Sequence, residues 1–250
     1  IGTPGTAPFG SDLGLLSMAN QELKRNGAPV GNRHVVLDHV SSYNLGKLTQ
    51  LSNVNQSGST TTLRTGDFDP LFGFTLHTDS NVPLHTVGTS TGQDVNNGAG
   101  YAIGSTTIVY DGGDAGTILV GDTIAPASDV SNLAGAASKY VVSTAITAAA
   151  GNLVINGPGL LDAVVNTEEL ALGSTNYRAN LALSTDALVL AARAPEGKDA
   201  AVEEMYVDDP VTGLRFRLAR YVGHHLSNWE MSILFGVGLG NPEHMIIIQG

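Results

Sequence analysis

The chain has 250 residues, 42% of them hydrophobic and 14% charged, enough for one large or two ordinary domains with a sizeable core. Its net charge of -11, from 12 Lys and Arg against 23 Asp and Glu, has the wrong sign for a protein held mainly by phosphate contacts. The absence of cysteine excludes disulfides and thiol chemistry, and no apolar run approaches the roughly 20 residues of a membrane helix.

In chain order, Ile1 to Gly10 is a Pro/Gly/Thr loop that reads as a connector inside a longer protein, so a preceding portion is expected. A helix follows, with Ser11 as N-cap, Asp12 suited to the positive start, Lys24 and Arg25 suited to the end, and Gly27 and Pro29 as the stop. Leu13, Leu15, Leu16, Met18, Ala19 and Leu23 give it a broad apolar face. Gly31 to Asp38 predicts a short buried strand, Asn53 to Thr62 a polar loop, and Phe74 to His77 another strand.

Composition shifts between Asn81 and Tyr177. Strand candidates at Thr106–Tyr110, Thr117–Val120, Lys139–Thr144 and Leu153–Ile155 alternate with Gly/Asp/Asn clusters at the spacing of a small barrel or sandwich. Ser184 to Arg193 then reads as a capped short helix ended by Pro195.

The last forty residues read as successive strands bounded by Gly, Pro or Asn, and as the scaffold on which earlier segments pack. Leu214, Phe216 and Leu218 share one strand face while Arg215 and Arg217 share the other, which predicts a half-buried strand. Arg220 breaks the alternation, so a bulge or strand end is expected there. The unbroken run Ile246-Ile247-Ile248 fits a strand covered on both faces.

Chemical motifs are few. Gly88-Thr-Ser-Thr-Gly92 matches the nucleophile-elbow pattern around Ser90, but the helix which must follow that turn has no sequence support, and a loop is expected. His34 and Asp38 would share a strand face with His39 pointing away, an incomplete ligand set better read as ordinary polar residues. His224 and His225 belong in a connector, and the glycines of Gly236 to Gly240 lead into a strand instead of the helix a dinucleotide loop requires. Arg215 and Arg217 are the candidate site residues, either as an ion-pair rim between subunits or as a solvated strand face. No catalytic residue, cofactor or metal is expected.

The order of these segments carries a family resemblance. A Gly-Leu-led strand, a Gly/His/Ser connector, a strand ending in Phe-Gly-Val, an Asn-Pro-Glu turn and an apolar terminal strand closing in Gly resemble the C-terminus of tailed-phage major capsid proteins. Upstream, the helix, the Arg33-His-Val-Val-Leu-Asp38 strand, the Leu63-Arg-Thr-Gly66 segment and the Gly73-Phe74 strand follow the same order. Ala115 to Ile124, Tyr140-Val-Val142 and Asn152 to Ile155 resemble the telokin-like β-barrel inserted in short-tailed-phage coat proteins of the Hong Kong 97-type fold, while 125–138 departs from that pattern.

The resemblance implies an α+β capsid fold: a first axial part at 1–80, an inserted all-β small barrel at 81–178, and a return to axial and peripheral parts at 179–250. It implies a structural protein of the virion that is assembled in the host cytoplasm into hexamers and pentamers of an icosahedral head. Scaffolding and portal proteins would be partners, packaged DNA only a weak one, and membrane none. A secreted or surface-attached β-rich binding module is the alternative, and a hydrolase using Ser90 is a third reading.

Overall fold

The computed structural model describes residues 1–129, 138–196 and 201–250. It is a mixed α+β protein, rich in sheet and poor in helix among the described residues. The helices are α1 (Gly14–Arg25), α2 (His39–Lys47), α3 (Thr49–Ser52), α4 (Val54–Ser57) and α5 (Thr61–Thr65). The first strands are β1 (Arg33–Leu37), β2 (Phe74–Thr78) and β3 (Leu84–His85). A run of short strands follows: β4 (Gln93–Val95), β5 (Thr107–Asp111), β6 (Thr123–Pro126), β7 (Tyr140–Val141), β8 (Gly151–Val154) and β9 (Glu169–Leu172). Then come β10 (Tyr177–Ser184), β11 (Leu188–Arg193), β12 (Glu203–Asp208), β13 (Arg215–Gly223), β14 (Leu226–Ser232), β15 (Leu234–Leu239) and β16 (Met245–Gln249).

Two compact units result, residues 1–187 with 241–250, and residues 188–240. The first holds a sheet in the order β16-β10-β1-β2, with β3 pairing β10. β1 and β2 are parallel, so their connection must cross over, and α2 to α5 lie in it. Val35, Leu37, Phe74, Ala182 and Ile248 belong to one buried cluster with Leu16, Ala19 and Leu23 of α1 and with Leu45 and Leu51.

Three buried polar residues tie the elements of this core together. The Arg33 guanidinium, 2% exposed, donates to the carbonyls of Pro29 at 2.7 Å and Ala28 at 2.6 Å and to Asn20 Oδ1 at 2.5 Å. It therefore ties the end of α1 to the start of β1. Buried Asn180 accepts the Asp38 N–H at 2.7 Å and donates to the Ile248 carbonyl at 3.4 Å, joining β1, β10 and β16. The Asp38 carboxylate caps α2 by accepting the Val40 and Ser41 N–H groups at 3.1 and 3.2 Å.

The second core gathers Val95, Ile108, Tyr110, Ile118, Ile124, Val142, Leu153, Ile155, Leu160, Val164 and Leu170 inside an antiparallel sheet of order β7-β6-β9-β4-β5-β8. Its two outer strands meet: Val142 bridges Ile155, and Ser143 donates to the Val154 carbonyl at 2.8 Å. The sheet thereby closes into a small barrel filled by its own side chains. The Tyr140 hydroxyl donates to the Asp129 carboxylate and accepts the Leu161 N–H at 2.8 Å.

The barrel is fastened to the main sheet near β3 and β10, and Lys139, next to β7, adds a bond from its Nζ to Gln249 Oε1 of β16 at 2.8 Å. His85 Nε2 meets Asp122 Oδ1 at 2.7 Å, and the same buried carboxylate accepts N–H groups from Gly88 at 3.1 Å and Leu119 at 2.7 Å. The Tyr177 hydroxyl donates to the Gly121 carbonyl at 2.6 Å. Gly121 sits at φ +99°, and a Cβ there would lie 2.9 Å from the His85 ring, so the close approach requires glycine.

Several expectations change. The helix begins at Gly14 with Leu13, two residues after Ser11, at the N-cap position, and Asp12 receives the Gly14 N–H at 2.7 Å. The stretch read as a loop contains α4 and enters α5, short turns in which Ser57 and Thr65 donate back to the Asn53 and Thr61 carbonyls. Ser184 to Arg193 is strand, turn and strand, because Leu188 to Arg193 pair antiparallel with Leu234 to Leu239. No bulge interrupts β13 at Arg220, which stays in register with both Glu203 and Trp229. The C-terminal strands are not one scaffold: only β16 enters the main sheet, where it is an edge strand with Ile246 and Ile247 half-buried.

The three tyrosines Tyr110, Tyr140 and Tyr177 are each pushed above the ordinary phenol range, chiefly by burial. A raised folded-state pKa leaves stability intact below the unfolded value of about 10 and erodes it above, because unfolded tyrosines release protons that folded ones retain. Urea midpoints should therefore fall between about pH 8 and pH 11. Tyr140→Phe should show a smaller fall than wild type, and equal falls would contradict this.

Candidate functional site

Residues 188–240 expose apolar side chains in an arrangement dictated by strand register. β11 and β15 form a two-stranded ribbon with Leu188, Leu190 and Ala192 opposite Leu239, Val237 and Phe235. Directly opposed residues share a face, so these six make one apolar stripe. Phe235 is 72% exposed, Val237 68% and Leu239 64%. The other face places Gly238 and Gly236 against Val189 and Ala191. An isolated two-stranded ribbon is marginal in water and needs a packing partner for its apolar face.

The three-stranded sheet β12-β13-β14 separates its two faces by chemistry. One carries Val207, Met205, Phe216, Leu218, Met231 and Trp229, all placed together by the pairs Val207–Phe216, Met205–Leu218, Leu218–Met231 and Arg220–Trp229. On the other stand Glu204, Tyr206, Asp208, Arg215, Arg217, Ala219 and Glu230. The polar face holds the buried residues Arg217 and Ala219, whereas Met231 is 69% and Trp229 59% exposed. On the outer strands both faces are exposed, so apolar groups stand toward water, and only at Arg217 and Ala219 of the central strand is the polar face the more buried one.

Ion pairs organise the polar face. Arg217, whose side chain is 4% exposed, donates to Glu204 Oε1 at 2.5 Å. Arg215 pairs with Asp208 at 3.6 Å in a largely exposed contact, and its guanidinium lies 5.1 Å from the centre of the Tyr206 ring. On the apolar face Arg220 reaches Glu203 at 3.2 Å and lies over the Trp229 ring at 5.7 Å. The Asp209 carboxylate closes the β12–β13 turn. It accepts a hydrogen bond from the Thr212 hydroxyl and N–H groups from Val211 and Thr212 at 3.2 Å, which hold it below the usual carboxylate range.

Arg215 and Arg217 thus lie on one strand face, each engaged by a carboxylate of the same chain. Sequence alternation identifies the two faces of β13, but burial falls on Arg217 and Ala219, and Phe216 and Leu218 are only half-buried. Sequence reading missed the exposed stripes of β11, β14 and β15. Their β-branched and aromatic runs signal strands, and no local signal distinguishes an apolar face turned inward from one turned outward.

The remaining motifs separate. Ser90 is buried, receives a hydrogen bond from Gln93 Nε2, and donates to the Asp114 carbonyl at 3.4 Å. Its N–H bonds the Thr117 carbonyl at 3.1 Å, so the Gly88 to Gly92 segment is a barrel loop with no helix after it. Asp38 caps α2, His39 opens that helix, and His34 meets His77. His224 and His225 form the turn between β13 and β14, with their rings 4.2 Å apart. A groove of about 590 Å³ beside α3 to α5 is lined by Leu13, Leu51, Phe68, Leu71 and Phe72 among others. No described helix is long and apolar enough to cross a membrane.

No protein-family model matches the chain, and no curated protein matches it. Among solved structures, a chain from Mycobacterium phage Che8 matches at 13% identity with a TM-score of 0.39, covering 99% of this chain and 53% of that chain. The chain thus spans about half the length of the phage chain it matches, and at that TM-score the likeness carries no argument.

The two arginines should behave differently. Arg217→Ala leaves Glu204 without this buried partner and is expected to cost about 3 kcal/mol, near the lower end for breaking a buried pair. Arg215→Ala should cost only about 0–1 kcal/mol, the range of exposed pairs. Denaturant unfolding checks both, and equal costs would contradict the assignment.

Proposed function

We propose that the chain is part of a structural subunit, the major capsid protein of a tailed phage or prophage with the Hong Kong 97-type fold and an inserted β-barrel. The observation that carries this reading is the exposed apolar side chains on the sheet and ribbon of residues 188–240. Contiguous exposed apolar surface of this kind marks a protein–protein contact. Here it is made of paired strands.

The segment order described from the sequence supports the capsid family in particular. On this reading the function is assembly, without turnover. Heterologous contacts repeated between copies close into rings and then a shell. Phe235, Val237, Met231 and Trp229 would be covered when copies meet. The acidity of the chain fits a weak relation to packaged DNA. Scaffolding and portal proteins would be the other partners.

Expression of the complete reading frame with its scaffold partner, followed by sedimentation and negative-stain electron microscopy, tests the proposal. Shells or capsomer-sized rings are expected. The double variant Met231→Asp/Phe235→Asp should stay dissociated while unfolding as cooperatively as wild type, because both side chains are already in water within the single chain. A wild-type monomer under these conditions would overturn the reading and favour a β-rich binding module. Assembly of the double variant at wild-type concentration would exclude this face.

A further inference from the structure

We infer that His34 and His77 form a two-imidazole site for a divalent transition ion, with Cu²⁺ preferred. The inference rests on the geometry of the main sheet and stands independently of the capsid reading. His34 lies on β1 and His77 on β2, neighbouring parallel strands whose register sets His34 beside Thr75 and Val36 beside His77. The two rings therefore lean toward each other diagonally across one exposed face. Their centroids are 5.2 Å apart with planes tilted by 30°, and His34 Nδ1 faces His77 Nε2 at 3.0 Å.

This pair differs from the other bonded histidines. His85 and His244 each direct a ring nitrogen at a carboxylate, Asp122 and Asp186 respectively. Among the described residues, His34 and His77 bond to each other and to no carboxylate. Two neutral imidazoles facing in this way share one proton between two lone pairs. An ion that takes both lone pairs moves that proton to the far nitrogen of its own ring, so the neutral pair need lose no proton.

The separation selects the ion. Metal–nitrogen bonds of about 2.0–2.1 Å spanning the 3.0 Å gap subtend roughly 91–97° at the metal. That is the cis angle of a square-planar or tetragonal site, which suits Cu²⁺ and Ni²⁺, and it is narrower than the tetrahedral angle preferred in structural zinc sites. Divalent affinities also peak at Cu²⁺ for nitrogen ligands. No group of three or more His, Asp or Glu among the described residues is placed to hold an ion, so water would complete the coordination.

Calorimetric titration of the full chain with Cu²⁺ against a glycine competitor, combined with electron paramagnetic resonance, provides the test. One stoichiometric site with hyperfine coupling to two imidazole nitrogens is expected, tighter for Cu²⁺ than for Zn²⁺. His77→Ala and His77→Gln should each weaken it by about ten-fold or more, because the second ligand's effective concentration is lost. Both variants are exposed and should unfold as wild type does. His224→Ala/His225→Ala should leave the site unchanged. Absence of a stoichiometric site, survival of the tightest site in both His77 variants, or its loss in the His224/His225 variant would each overturn the inference.

Discussion

The central strand β10 is the constraint on which the first unit depends. It pairs antiparallel with β1 on one side and with β16 on the other, so it holds segments from near both ends of the chain. Buried Asn180 sits at its middle and fixes both neighbours by side-chain hydrogen bonds, to the Asp38 N–H and the Ile248 carbonyl. An unsatisfied amide in this position would cost about 1–3 kcal/mol, so Asn180 favours the arrangement in which all three strands are paired. Asp38 passes the constraint onward by capping α2. The start of β10 also carries Tyr177, whose hydroxyl holds the barrel through Gly121. One strand thus sets both the main sheet and the attachment of the barrel.

Residues 188–240 follow a different logic. In the first unit apolar side chains fill two buried clusters, and Arg33, Asp38 and Asn180 are hydrogen-bonded beside them. In the second unit Arg217, paired with Glu204, is buried on the central strand, and aromatic and aliphatic groups face water. Such an arrangement is poor for a free monomer, since burying Arg217 costs desolvation while exposing Phe235 and Met231 forgoes hydrophobic stabilisation. It becomes favourable once the outer face is covered. On the proposed reading, assembly would supply the missing burial.

Legibility in the sequence followed the range of the determining interactions. Strand β2 and the stop of α1 at Gly27 could be read locally, because alternation and left-handed glycine are properties of a few neighbouring residues. β5 and β8 were also visible, as β-branched runs bounded by turn residues. The strand β11 was misread as a helix because Ser184-Thr185-Asp186 imitates a cap, and its partner β15 lies some forty residues later. The pairing of His34 with His77 depends on a parallel register that no local pattern records, and Asp38, which sequence had set beside His34, is used as a cap. Arg215 and Arg217 were placed on one face correctly, but which face the fold buries is decided by tertiary packing.

The most direct test of the account is hydroxyl-radical footprinting of the complete protein in its assembled and dissociated forms. Trp229, Met231 and Met205 are reactive probes that stand on the exposed face of β12-β13-β14. The account predicts that oxidation of all three drops on assembly, while Tyr43, exposed on the other unit, serves as the reference. Equal oxidation of the three probes in the two forms would contradict the claim that this sheet face is where copies meet.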